Sequence, residues 1–394
     1  MRNRFVIILI AILFATAGVP VSTAQQPASR PKVRTVTAFV RLDRVTYNEQ
    51  VSRALTMLRA AKAEFTKAGY EVETIRITSQ PFPEIIKGLS DEQALAFFRE
   101  YDQLAQKEGF TPDIGAAMMR DNDDPAQAAV LAKIISGTET INAFVVVADD
   151  AGIHWNGIRA AAKVIQSLAA NTPHSEGNFR FAAAAFPPAI APFYPVSHTT
   201  GAGHEFAIGL ESANIVQEVF AANHGGFPAA GERLTAALAK EAQKVEAIAQ
   251  RIAAESGWKY EGIDLTPVPL KDISIGGAIE SLLQKQIGSA GSLSAAFTVT
   301  SAVRRVSVKQ AGYSGLMLPV LEDGVLAKRW EAGVIGKDAL MSYSSVCSTG
   351  LDAIPLPGDI SQHDLENIIA DMASLAVKWH KPLSARLLRS RENM

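Results

Sequence analysis

The sequence predicts an α/β fold with a mostly parallel sheet, formed as one large domain over residues 33–390. Three observations carry this. Strand-length and helix-length segments alternate almost throughout, as in βαβ organisation. The run 141–148, Ile-Asn-Ala-Phe-Val-Val-Val-Ala, is nearly continuous in apolar residues, as expected of a strand buried on both faces. No Gly/Ser linker and no repeat of convincing period divides the chain, and the proline-rich stretch near residue 190 reads as a loop crossing one domain.

Taken in order, residues 33–42 hold Val33, Val36, Phe39, Val40 and Leu42 and read as a strand. Residues 47–68 place Val51, Leu55, Leu58, Ala61 and Phe65 on one helical stripe. A second strand covers 71–78, with Val72, Thr74, Ile75 and Ile77. Ser90-Asp91-Glu92-Gln93 has capping-box form and opens a helix to about 105. Asp124-Pro125-Ala126-Gln127 opens another, with proline at its first position. After the strand 141–148 come a helix at 158–168 and a strand at 179–186. Four prolines between 187 and 195 predict a stiff loop without regular structure. A strand follows at 205–210, then the clearest helix, 228–256, with Leu234, Leu238, Val245, Ile248 and Ile252 on one face. The rest reads as a strand at 258–265, helices at 274–284, 292–306 and 337–342, a helix capped by Ser361, and a last strand at 383–388.

With 394 residues, 48% hydrophobic and 20% charged, the composition is globular. Thirty-eight basic against 40 acidic residues leave a formal charge of −2, so there is no excess positive potential for binding nucleic acid. Arg2 and Arg4 precede an apolar run at 5–15 and small residues at Ser22 and Ala24, which predicts a signal peptide over 1–24 cleaved after Ala24. The run is too short to span a bilayer comfortably, and no cysteine follows it to accept a lipid. An uncleaved anchor is the alternative. Residues 25–32, rich in Pro, Ser and Gln, read as a flexible leader, and the expected location is periplasmic or secreted with no membrane span after cleavage. A single cysteine cannot form an intramolecular disulfide.

Chemistry concentrates between residues 312 and 359. Gly312-Tyr313-Ser314-Gly315, Pro319, Glu322-Asp323, Ser345-Val346-Cys347-Ser348-Thr349-Gly350-Leu351-Asp352 and Pro355-Leu356-Pro357-Gly358-Asp359 alternate with short apolar runs. Loops on a rigid scaffold commonly carry binding and catalytic groups. Cys347 is a candidate nucleophile, with a small residue packed under its loop as the other reading. Ser197-His198-Thr199-Thr200-Gly201-Ala202-Gly203-His204-Glu205 offers two imidazoles and a carboxylate for a metal site or for proton transfer, with plain exposed loop histidines as the other reading, and its spacing matches no zinc signature. Asp264 and Asp352 follow apolar runs and are candidate acid–base groups or turn formers; Glu322, Asp323 and Asp359 are further acids of the same kind. In Gly288-Ser289-Ala290-Gly291-Ser292, the amides of Gly288, Gly291 and Ser292 can cradle an anion at a helix start, or Ser292 is a plain N-cap. Tyr313 and Ser314 add hydroxyl donors.

Residues 312–323 and 344–352, together with Gly262-Ile263-Asp264-Leu265 and Asn178-Phe179-Arg180-Phe181, resemble the domain of unknown function 711 family. The resemblance covers nearly all of 33–388. It implies a mostly parallel α/β barrel similar to those of glycyl-radical enzymes such as pyruvate formate-lyase and anaerobic ribonucleotide reductase, but no reaction. It also implies that Cys347 sits on a loop like that of the thiyl cysteine in those enzymes. Their Arg-Val-x-Gly sequence has no counterpart in the stretch Arg386-Leu387-Leu388-Arg389-Ser390-Arg391-Glu392-Asn393-Met394, so the expectation is chemistry without a radical.

The combined expectation is an exported α/β barrel whose mouth gathers His198, Asp264, Tyr313, Ser314, Cys347 and Asp352. It would be an enzyme acting on a small polar metabolite, or a ligand-binding or scaffold protein without catalysis. The predicted partner is a small-molecule ligand. A homo-oligomer stays open, and neither a cofactor nor a metal is assigned.

Overall fold

A computed structural model describes residues 30–223, 225–269 and 273–389. The predicted signal peptide, residues 25–29 of the predicted leader and the final residue of the predicted domain lie outside them. The strands are β1 Lys32–Val40, β2 Val72–Ser79, β3 Thr111–Ala116, β4 Asn142–Asp149, β5 Gly152–Ile153, β6 Phe181–Ala185, β7 Ile190–Ala191, β8 His198–Thr199, β9 Glu205–Glu211, β10 Lys259–Asp264, β11 Gly350–Leu356 and β12 Leu383–Arg389. The first strand begins at Lys32, inside the segment read as leader.

One sheet runs β10-β9-β1-β2-β3-β4-β6-β12-β11, with β5 paired to β4. All of its neighbouring pairs are parallel except β9/β1, β6/β12 and the short β4/β5 pair. Strands β1, β2, β3, β4 and β6 therefore point one way, and β9, β10, β11 and β12 the other. The predicted α/β class with a mostly parallel sheet is present. The ladder does not close it into a barrel, because β10 and β11 are not paired to each other. Between them lies the segment 310–319, which makes one parallel bridge to each side, Ile263↔Gln310 and Pro319↔Asp352.

Both faces of the sheet are buried, and the alternation along each strand sorts residues between them. Val145 and Val147 of β4 and Ala183 and Ala185 of β6 join the large core against the helices. Phe144, Val146, Ala182 and Ala184 face a smaller inner core with Phe193, Tyr194 and Tyr313. The helices form as their caps and stripes direct. Ser90 Oγ accepts from the Gln93 amide while Gln93 Oε1 accepts from the Ser90 amide, starting the helix Asp91–Glu108; such a cap contributes about 1 kcal/mol. The helix Gly226–Ser256 buries Leu234, Leu238, Val245, Ile248 and Ile252 and stops at Gly257, whose φ of 74° is left-handed.

The structure adds elements to those read from the sequence and alters others. Residues 111–116 and 350–356 are strands, although Pro112, Asp113, Asp352 and Pro355 give them loop-like sequences. The proline-rich loop contains β7, which pairs antiparallel with β8. Helices also form at Ala213–Ala221 and Gly324–Glu331. The helix Ser292–Arg304 is capped by Gly291, with Ser292 as its first residue.

Candidate functional site

Strands β1 to β4 end on the same side of the sheet, where a cleft of about 630 Å³ opens. Arg41 follows β1, Pro81 follows β2, Met119 and Arg120 follow β3, and Asp149 ends β4; all line this cleft, as does His198 of β8. Ligand sites of open α/β sheets lie at the carboxyl ends of parallel strands.

His198 is delivered by the β7–β8 hairpin, where it registers with Ala191. Its ring stands edge-on to Phe144, with centroids 5.7 Å apart, and the residue is only 3% exposed. Burial lowers its pKa to about 4, so the ring is neutral near pH 7. Nδ1 is buried without a hydrogen-bond partner among the described residues. A neutral imidazole of this kind can accept a proton or a hydrogen bond from a ligand.

Around it lie charged groups that the sequence reading did not single out. Arg41 pairs with Glu84 at 2.6 Å. Asp123 Oδ2 accepts the amides of Met119 and Arg120 at 2.7 and 2.9 Å, fixing the turn after β3. Asp149 Oδ1 accepts the Ala151 amide at 2.8 Å and lies 3.0 Å from Nε2 of the buried His154. The available signal was position: Asp149 directly follows the apolar run 141–148, at the carboxyl end of a buried strand.

Asp352 lies on β11, at the end of the sheet path, and is fully buried. Its Oδ1 accepts from Tyr194 Oη at 2.9 Å and Arg386 Nε at 2.7 Å, while Oδ2 has no partner among the described residues. Arg386 also reaches Glu322 at 2.6 Å and stacks over the Tyr194 ring at 4.9 Å. Burial works against the Arg386 charge, yet Asp352 and Glu322 beside it raise its pKa overall. The Tyr313 ring packs edge-on to Tyr194 at 6.0 Å, and its hydroxyl is buried near Ser384. Burial raises the pKa of both phenols.

Asp264 organises a turn. Its Oδ1 accepts from the Thr266 amide, the Thr266 hydroxyl and the Ser314 amide, and its Oδ2 from the Tyr313 amide at 2.8 Å. Burial raises its pKa, with these hydrogen bonds opposing. Ser314 Oγ accepts from the Leu265 amide and donates to the Ala311 carbonyl, so this hydroxyl is held within the same turn. Gly312 is required there: its φ is 61°, and a Cβ would overlap Asp264 Oδ2. The loop 288–292 likewise closes on itself, since Ser292 Oγ accepts from the Gly288 amide and donates to the Ser289 carbonyl. Glu205 accepts the amides of Ala202, Gly203 and His204, and the His204 ring stacks on Trp258 at 4.3 Å.

Cys347 is 1% exposed and belongs to the outer core. Its sulfur accepts from the Gly350 amide at 3.3 Å, and its carbonyl accepts from Lys381 Nζ. That lysine also donates to the Ser344 and Ser345 carbonyls at the end of the helix Lys337–Ser344. Cys347 thus sits beside a helix C-terminus. The expected constellation divides accordingly. Asp264, Ser314, Tyr313, Tyr194 and Asp352 form a connected series, His198 lies in the cleft on the loop that carries Tyr194, and Cys347 belongs to the outer core rather than to the inner core of Tyr194 and Tyr313. Among the described residues, no three His, Cys, Asp or Glu side chains are placed to hold a metal ion. No helix among them is long and apolar enough to cross a membrane.

The chain belongs to the family described as Uncharacterised ACR (DUF711), which matches residues 27–390. It is similar to a UPF0210 protein of Pyrobaculum arsenaticum, 29% identical over 349 residues that cover 84% of this chain and 76% of the relative. A UPF0210 protein of Pyrobaculum aerophilum is 30% identical over 345 residues, covering 82% and 74% respectively. Among solved structures, the anaerobic ribonucleotide reductase of Thermotoga maritima with citrate in the active site matches at a TM-score of 0.38 and 8% identity. That match covers 90% of this chain and 79% of the reductase chain, and at this level no chemistry transfers.

Proposed function

We propose that the cleft at the ends of β1 to β4 binds a small polar metabolite, and that His198 exchanges a proton with it. The observation that carries this is the His198 ring, neutral and buried, with an unpartnered nitrogen, on the wall of a 630 Å³ cleft. Cleft carboxylates, with Asp149 foremost, supply the second acid–base group, and the chemistry is proton transfer without a radical. Asp352, Asp264, Tyr313 and Ser314 act from the interior as a rigid support, and the amides of Gly288, Gly291 and Ser292 serve their own loop. The proposal includes a single unit over 33–390, with the segment 310–319 completing a barrel-like wall. It also includes export, supported by Arg2 and Arg4 ahead of the apolar run 5–15.

A thermal-shift screen of polar metabolites against the wild type and His198→Gln tests the reading. A ligand that stabilises the wild type but not the variant is expected; equal stabilisation of both by every active compound would overturn it. Capture without turnover is a second reading, favoured by the burial of Cys347 and Ser314 at 1% and 6% exposure. An NMR record of an identified ligand left with the protein separates the two, since capture leaves it chemically unchanged.

A further inference from the structure

The charges lining the cleft are unbalanced. Glu84, Asp123, Asp124 and Asp149 face it against Arg41 and Arg120, and His198 is neutral, so the wall carries an excess of two negative charges. The two guanidinium groups differ: Arg41 is held by Glu84 at 2.6 Å, whereas Arg120 is exposed. Among the carboxylates, Glu84 is neutralised by that pair and Asp123 holds two backbone amides. Asp149 is left with one oxygen fixed by the Ala151 amide and His154, and no described residue bonds its Oδ2. Its side chain is 39% exposed, while that of His154 behind it is 3% exposed. An independent observation on the same wall is the buried, unpartnered Nδ1 of His198. Together these surfaces offer acceptors and negative potential.

We infer that the ligand of this cleft is a small molecule bearing an ammonium group, that Asp149 anchors that group, and that His154 is a positioning residue for Asp149. This rests on the reading of the cleft as a ligand site. An ammonium presents three donors and no acceptor, matching a carboxylate oxygen and an imidazole lone pair. In a concave site of one sign, the potential raises the local concentration of the oppositely charged solute. An anion would instead meet repulsion on most of the wall, which supplies selectivity.

The test uses the full chain and three probes on one four-carbon skeleton: putrescine, succinate and 1,4-butanediol. The His198 ring resonances report occupancy. Putrescine is expected to shift them saturably and the other two not. Asp149→Asn should weaken putrescine about tenfold or more, the loss of one charged hydrogen-bond partner, and His154→Gln by less, since it leaves the Asp149 charge in place. If succinate or butanediol occupies the cleft in preference to putrescine, or if Asp149→Asn binds putrescine as the wild type does, the amine inference fails while the cleft remains a binding site. If none of the three moves His198, the binding site itself is refuted and the inference with it. Should Asp149→Asn not fold, the wild type's own preference among the probes decides.

Discussion

The Tyr194 phenol donates a 2.9 Å hydrogen bond to Asp352 Oδ1 across 158 positions of sequence. This contact ties the loop that bears His198 to a strand on the far edge of the sheet path, and it makes the inner polar cluster a matter of stability as well as shape.

Removing the phenol oxygen with Tyr194→Phe leaves Asp352 one bond poorer in a site without solvent, so the fold should lose roughly 1.5–3 kcal/mol. Arg386→Met, which strands the carboxylate, should cost more, about 3–5 kcal/mol. The double variant Asp352→Asn with Arg386→Met should recover part of that loss. Urea unfolding measures all three, and a Tyr194→Phe midpoint equal to that of the wild type would show the bond to be dispensable.

His198 makes stability depend on acidity in a defined direction. Its folded pKa of about 4 lies below the ordinary 6.5, so an unfolded chain takes up a proton that the native one refuses. The stability tied to this residue is complete above pH 6.5 and is lost as pH falls toward 4, to a limit of roughly 3 kcal/mol. His198→Gln should flatten the decline over that window. Parallel slopes for the two proteins in urea melts at successive pH values would contradict the assignment.

Gly312→Ala should destabilise by 3 kcal/mol or more, roughly the sum of an unfavourable left-handed φ and a displaced Asp264 carboxylate. Gly336→Ala is the matched control: no atom lies within 4 Å of its added Cβ, and its φ is −140°. The control should melt within about 0.5 kcal/mol of the wild type. Similar losses in both would mean that the turn at 312 is not held as described.

Cys347 should resist iodoacetamide in the native protein and label rapidly once unfolded, because the thiol is enclosed at 1% exposure. Stoichiometric native labelling, read by mass spectrometry, would place the thiol in reach of solvent after all.

Strands whose apolar residues outnumber their buried polar ones were legible, including 258–265 with Asp264 and 383–388 with Arg386, whereas two that combine aspartate with proline were not. Residues 141–148 announce a strand because Phe144 and Val146 fill the inner core while Val145 and Val147 fill the outer one. Thr111–Ala116 and Gly350–Leu356 hide because the inner core also accepts Asp113 and Asp352, and a buried aspartate beside proline or glycine reads locally as a turn. The site followed the same logic. His198 stood out as a histidine among glycines, whereas Asp149 resembled a turn residue, and Arg386 looked like one charge in a basic C-terminal stretch. Asp264 and Ser314 were expected at one barrel mouth; they meet in one turn, each hydrogen-bonded to the other's backbone stretch, which chain order alone does not show.

Between β10 and β11 the wall is continued by the segment 310–319, which meets each neighbouring strand in one parallel bridge. Other bonds fill the gap in the ladder. On the β10 side Asp264 accepts the Tyr313 and Ser314 amides and Ser314 Oγ accepts the Leu265 amide, while beyond the segment the Val320 and Leu321 amides donate to the Asp352 and Ala353 carbonyls. One carboxylate thus fastens a join that strand pairing alone would leave thin.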